Sequence, residues 1–194
     1  MMSKKTLFFV TGNQNKVNEL TKILGSDFPF KLMAKKMDLV ECQGNEEFII
    51  KNKCKEAFRI VNAPVIVEDT SLSFTAFKGL PGPYIKYFLD NLGPQGLYRM
   101  LKDWNDKSAI ASCRIAFCPA LDSEPSVFIG EISGHIVPAR GDSGFGFDHC
   151  FQPLGYEKTL SEMGQEEKNS ISHRFLAAKA MRDYFKLVGD QFTS

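Results

Sequence analysis

Strand-like and helix-like periodicities alternate through the opening part of the chain, and that alternation restricts the fold more than any other feature. Thr6–Val10 is a short apolar run ended by a Gly/Asn turn, the pattern of a buried strand. Asn13 suits a helix N-cap; Val17, Leu20, Ile23 and Leu24 then share one helical face, and Gly25 supplies the stop. Residues 30–37 predict a second strand. Across residues 46–61, Ile50, Cys54, Ala57, Phe58 and Val61 fall on one side of a helix. Pro64 closes that segment, and Val65-Ile66-Val67 reads as a third strand.

The remainder is less regular. Residues 74–83 read as a loop rich in Gly and Pro, followed by a short helix carrying Ile85, Phe88, Leu89 and Leu92 that Gly93-Pro94 terminates. Residues 110–117 and 127–137 predict two longer strands, and Asp122-Ser123-Glu124-Pro125 between them predicts a hairpin. Cys150-Phe151-Gln152 is one more short strand, and a last helix over residues 172–188 turns Phe175, Ala178, Met181, Phe185 and Val188 inward. No repeat, low-complexity tract or long linker interrupts the pattern. The expectation is an α/β fold: a long twisted mixed sheet with flanking helices. The chain, 194 residues, is read as a single two-lobed domain.

Composition narrows the function classes. The formal net charge is +1 and no basic run is visible, so a nucleic-acid backbone binder is not expected. Any phosphate site must come from lysines gathered by folding. The five cysteines have neither disulfide nor zinc spacing, which suits reduced thiols in a cytoplasmic protein. The N-terminal apolar run is too short for a signal core or a membrane span. Seventeen Phe stand against one Trp, enough to fill a core and leave a few rings for stacking on something flat.

Several segments are poor core material and good polar-ligand material. In Thr11-Gly12-Asn13-Gln14-Asn15-Lys16 a strand meets a helix, whose first amides point at an uncompensated positive end, and Lys16 adds a full charge. An ordinary capped turn explains the segment equally well, and it is not a P-loop. In Val67-Glu68-Asp69-Thr70 two acids sit where the strand is expected to end; strand alternation sends them opposite ways, and oxygen ligands of this kind suit Mg²⁺. A solvated pair opening a loop is the alternative. Glu41 matters only if folding brings it beside Asp69. Lys53 and Lys86 lie in helices, where lysines usually snorkel to solvent, though the stiff Gly79-Leu80-Pro81-Gly82-Pro83-Tyr84 loop fixes where Lys86 starts its helix. Gly144-Phe145-Gly146-Phe147-Asp148 offers either two core rings around a bulge or rings for a base, stacking being worth about 1–3 kcal/mol. Finally, Lys168-Asn169-Ser170-Ile171-Ser172-His173-Arg174 sets cations ahead of a helix, against its macrodipole. A donor-only Arg174 would favour a 6-keto purine over a 6-amino one.

Taken together and in this order, these motifs resemble the inosine triphosphate pyrophosphatase family, in its eukaryotic form, over nearly the whole chain. The resemblance implies two lobes with a nucleotide cleft between them, a homodimer, and Mg²⁺ with Mn²⁺ as a substitute. It implies hydrolysis of ITP, dITP or XTP to the monophosphate and pyrophosphate. By motif, Thr11 to Lys16 would hold phosphates with Lys53, and Thr70 would line the same region. Glu41 and Asp69 would sit at the metal, with Asp69 as general base for water. Lys86 would lie near phosphate or sugar. Phe145, Gly146, Phe147 and Asp148 would flank the base, and Lys168, His173 and Arg174 would complete its pocket. Two positions depart from the family pattern: Phe147 stands where Trp or Tyr is usual, and His149 where Pro is usual. A pyrophosphatase of different base preference and a catalytically silent nucleotide-binding protein are the alternative readings. Neither a nucleic acid nor a membrane is expected as a partner.

Overall fold

A computed structural model describes residues 4–37, 39–40 and 42–188. Its elements are β1 (Thr6–Val10), α1 (Gln14–Leu24), β2 (Lys31–Lys35), α2 (Glu46–Val61), β3 (Val65–Phe74), β4 (Pro81–Gly82), α3 (Ile85–Met100), β5 (Ser108–Cys118), β6 (Ser126–Ile136), β7 (Phe151–Pro153), α4 (Gln165–Ile171) and α5 (His173–Val188). The strands form one seven-stranded mixed sheet in the order β2-β1-β3-β5-β6-β7, with β4 pairing β3. β1 runs parallel to β2 and β3, whereas β3–β4 and β6–β7 are antiparallel. The expected α/β class and mixed sheet are thus observed.

The two opening helices are specified locally. The Asn13 side chain accepts from the amides of Asn15 and Lys16, and Asn45 does the same for Phe48, so both N-termini are capped. The α1 C-cap is Gly25 at φ 67°, and α2 ends at Asn62 in the left-handed region. Among the described residues none of the helices is long and apolar enough to cross a membrane.

The chain divides into two compact units. The first comprises residues 1–69, 114–130 and 174–194; the second comprises 70–113 and 131–173. The first packs Val10, Ile50, Cys54, Ala57, Val65, Val67 and Ala116 into one core. Phe28, Phe30 and Phe117 converge on Phe185, whose ring lies 4.8 Å from Phe30, 4.9 Å from Phe117 and 5.8 Å from Phe28. Many of the phenylalanines are therefore core, each stabilising by roughly 1.5–3 kcal/mol through burial. The second unit has its own core around Leu72, Phe74, Leu97, Leu101, Phe147 and Phe151.

Three expectations are corrected. β3 does not end at Val67: it continues to Phe74, because Leu72 and Phe74 are fully buried and Leu72 and Ser73 pair with β4. Glu68 and Asp69 are accordingly mid-strand residues. The helix expected to stop at Gly93-Pro94 only breaks there, at Gly93 φ 65°, and Pro94 opens a further helical stretch to Met100. The segment ahead of the last helix is itself helical, as α4, with Ser172 as its C-cap.

Candidate functional site

The first unit gathers its polar groups around β3. Glu68 is buried, and its carboxylate accepts from Arg174 twice, from Nε at 2.9 Å and Nη2 at 2.8 Å. Arg174 Nη1 donates to Glu19. Glu68 Oε1 also lies 3.3 Å from Lys16 Nζ. These contacts link Glu19, Arg174, Glu68 and Lys16 in one chain, Glu19–Arg174–Glu68–Lys16. Burial alone would push the Glu68 carboxyl up, but the Arg174 guanidinium and the Lys16 ammonium outweigh it and hold the group at about 2. Asp69, the next residue, faces a separate partner: its Oδ1 is 3.7 Å from Lys53 Nζ on α2. Each of the adjacent acids on β3 therefore holds one lysine, and the strand alternation that separates them is the reason.

At the start of α1, Thr11 Oγ1 accepts from the Asn13 amide at 3.2 Å, and Gln14 Nε2 donates to Asn18. Gly12 is exposed. The Asn13 side chain occupies the amides of Asn15 and Lys16, while the first turn carries no acidic residue. The first turn of α1 thus supplies no carboxylate of its own against the positive end of the helix.

The second unit holds the other cluster. Lys168 Nζ is 2.6 Å from Asp148 Oδ2, both side chains being almost wholly buried, and sits 5.0 Å from the Phe145 ring centroid. The Phe145 amide donates to the same Asp148 oxygen at 2.8 Å. Phe147 is a core residue, 5.6 Å from the His173 ring and 6.2 Å from Phe151. Phe145 is half-buried and Gly146 exposed. Thr70 is half-buried on β3, and Lys86 is exposed at the start of α3.

Of the residues singled out from sequence, the structure brings Lys16 and Arg174 together through Glu68, and Lys53 to Asp69. It also brings Phe145, Asp148 and Lys168 together, with Phe147 beside His173. Glu41 lies outside the described residues. Arg174 is buried rather than surface-lying, and Nε, Nη1 and Nη2 all donate to carboxylates. To meet a base edge it would have to release Glu68 and Glu19. Its awkward placement against the helix dipole is offset by those counter-ions. Glu19 was not singled out from sequence, and Glu68 entered only as one of two acids on a strand end, with no partner assigned. The available signal was a glutamate at position 19, on the otherwise apolar face of α1.

Among the described residues, no three His, Cys, Asp or Glu side chains cluster as a protein-built metal cage. Mg²⁺ does not require one, since it binds through one or two carboxylates, waters and substrate phosphate oxygens. Asp69, partly accessible on β3, fits that donor set.

Fold and clusters together define an α/β protein whose central strand bears paired carboxylate–lysine contacts. The chain belongs to the Ham1 family, whose model matches residues 7–184. It is similar in structure to a HAM1 protein from Coxiella burnetii, with TM-score 0.83 and 24% identity, covering 94% of this chain and 99% of that one. The Staphylococcus aureus Ham1 protein matches with TM-score 0.75 at 26% identity, over 95% of this chain and 100% of that one. A nucleoside-triphosphatase / dITP/XTP pyrophosphatase from Mycobacterium abscessus matches with TM-score 0.70 at 24% identity, over 91% and 98%. At these identities the likeness to the first and third speaks for the fold alone.

Proposed function

We propose that the protein hydrolyses deaminated purine nucleoside triphosphates (ITP, dITP and XTP) to the monophosphate and pyrophosphate. The observation that carries this reading is the pair of lysines held at β3, Lys16 by Glu68 and Lys53 by Asp69. A polyphosphate needs fixed cations, and carboxylates that anchor lysines before substrate arrives reduce the reorganisation needed during reaction. Membership of the Ham1 family supports the same reading. The motifs are in the form that resembles the eukaryotic branch, and a homodimer is part of the proposal.

In this mechanism water attacks the α-phosphorus and the α–β bridging bond breaks. Asp69 orients the water and takes its proton, after Lys53 turns toward phosphate oxygen. Lys16 and Lys53 neutralise the charge that develops on the departing pyrophosphate, with the α1 N-terminus adding its partial positive charge. Asp69 and Glu41 would hold Mg²⁺, which supplies further neutralisation of phosphate oxygens when bound. Lys168 and Asp148 supply the polar groups, and Phe145 the aromatic face, for the base. A lysine donor suits a 6-keto oxygen and repels a 6-amino donor. Arg174 secures Glu68, and through it Lys16.

A panel of triphosphates assayed with Mg²⁺ tests the reading. Pyrophosphate release from ITP, dITP and XTP well above that from ATP, whose base carries a 6-amino group, is expected. Orthophosphate release, or equal turnover of ATP, would overturn it.

A further inference from the structure

The connection from β6 to β7 carries Phe145, Phe147 and Asp148, and three of its glycines have left-handed φ: Gly141 at 86°, Gly144 at 79° and Gly146 at 64°. Glycines at such angles leave the unfolded backbone much freedom, so holding this loop in one geometry needs specific contacts. Those contacts come from residues that the functional reading has not used. Ser143 Oγ donates to the Ser161 carbonyl at 2.5 Å, and Ser161 Oγ donates to the Ser143 carbonyl in return. His149 Nδ1 lies 2.8 Å from Ser161 Oγ and 3.0 Å from the Gly141 carbonyl oxygen.

The hydrogen positions follow from this arrangement. The single Ser161 hydroxyl proton goes to the Ser143 carbonyl, so Ser161 Oγ can only accept from His149. The Gly141 carbonyl can only accept as well. Nδ1 of His149 therefore carries a proton and shares it between them. The backbone completes the arrangement: the Ser161 amide donates to the Asp148 carbonyl at 3.1 Å, and the Arg140 amide donates to the His149 carbonyl at 2.8 Å. The two segments approach so closely that a Cβ on Gly141 would lie 2.6 Å from the Ser161 carbonyl carbon. Asp148, one residue from His149, bonds Lys168 and the Phe145 amide.

We propose that Ser143, His149 and Ser161 form a clasp that positions the Phe145–Asp148 loop for base selection, acting as specificity-determining residues that do not touch the substrate. The proposal rests on the pyrophosphatase reading for its substrate, but not for its structural content. The clasp fixes the carbonyl and Cα of Asp148, which fix its carboxylate, which in turn fixes Lys168 and the Phe145 backbone. It leaves Lys16, Lys53 and Asp69 unaffected.

The test compares His149→Leu, which removes the donor, with His149→Asn, which restores an N–H at the same number of bonds from Cβ. Steady-state kinetics with ITP, inhibition by pyrophosphate, and amide hydrogen exchange of the ligand-free protein are measured for each. In His149→Leu, KM for ITP should rise by about 3- to 12-fold, as the loss of the one shared Nδ1–H hydrogen bond implies, with kcat and the pyrophosphate inhibition constant within about twofold of wild type. The Phe145 and Ser161 amides should exchange at least about tenfold faster. His149→Asn should recover most of both effects. Wild-type KM and exchange in His149→Leu would overturn the proposal. So would an equal rise in KM and the pyrophosphate constant, or no rescue by Asn, since either marks general scaffolding. If the wild-type protein turns over no nucleoside triphosphate, the pyrophosphatase reading fails, and hydrogen exchange still decides the clasp.

Discussion

Glu68→Gln removes the centre of the buried chain Glu19–Arg174–Glu68–Lys16 while keeping the side-chain shape. The Glu68 side chain is fully buried and that of Arg174 nearly so, so neither charge is relieved by water. The carboxyl is displaced from its ordinary value of 4.5 to about 2, against the cost of its own burial, by Arg174 and Lys16. At about 1.4 kcal/mol per tenfold in proton affinity, this corresponds to roughly 3 kcal/mol of stability. Breaking a buried ion pair by removing one partner costs a similar amount, about 3–5 kcal/mol. Because the folded pKa is depressed, the contribution is complete above pH 4.5 and is lost as pH falls from there toward 2. Urea unfolding at pH 7 should show Glu68→Gln destabilised by about 3 kcal/mol. Between pH 4.5 and 2 the wild type should lose that advantage, so that the two curves converge. Acids outside the chain Glu19–Arg174–Glu68–Lys16 contribute equally to both curves and cancel in the difference. A variant within about 1 kcal/mol of wild type at pH 7 that keeps the full acid dependence would refute the ionic account.

Asp69→Asn should reduce kcat for ITP by at least about 100-fold, the lower end for loss of a general base, while nucleotide binding by calorimetry stays detectable; unchanged turnover would remove Asp69 from the mechanism. A chelator should abolish pyrophosphate release, and Mg²⁺ should restore it; activity that persists in its presence would exclude the metal from the reaction. Burial pushes the Cys150 thiol up to about 12, with Asp148 adding to the effect, whereas Cys42 is partly accessible. A thiol reagent applied to the native protein at pH 8 should therefore label Cys42 first and leave Cys150 unmodified, as peptide mapping would show. Labelling of Cys150 before Cys42 would mean that its burial is not maintained in solution.

What the sequence made legible was local. α1 and α2 announce themselves because cap, apolar face and stop coincide within each segment, from Asn13 to Gly25 and around Glu46–Val61. The far half of β3 was missed because Glu68 and Asp69 look like a chain leaving the core. Arg174 and Lys16, supplied from elsewhere, make a buried Glu68 tolerable. α4 was missed because Gln165–Ile171 offers one apolar residue and so no face to read. The motifs put Lys53 and Asp69 in one region, and their side chains lie 3.7 Å apart, whereas the tie from Arg174 to Glu19 spans 155 positions and leaves no periodic trace. Phe147 was open between core and stacking roles, and packing against Phe151 and His173 places it in the core of its unit.

Isotope transfer reads directly which phosphorus the water attacks. Hydrolysis of ITP in ¹⁸O-labelled water, followed by mass spectrometry of both products, is predicted to place the label in inosine monophosphate and leave pyrophosphate unlabelled. Label in pyrophosphate, or in free orthophosphate, would contradict attack at the α-phosphorus and with it the roles given to Asp69, Lys16 and Lys53.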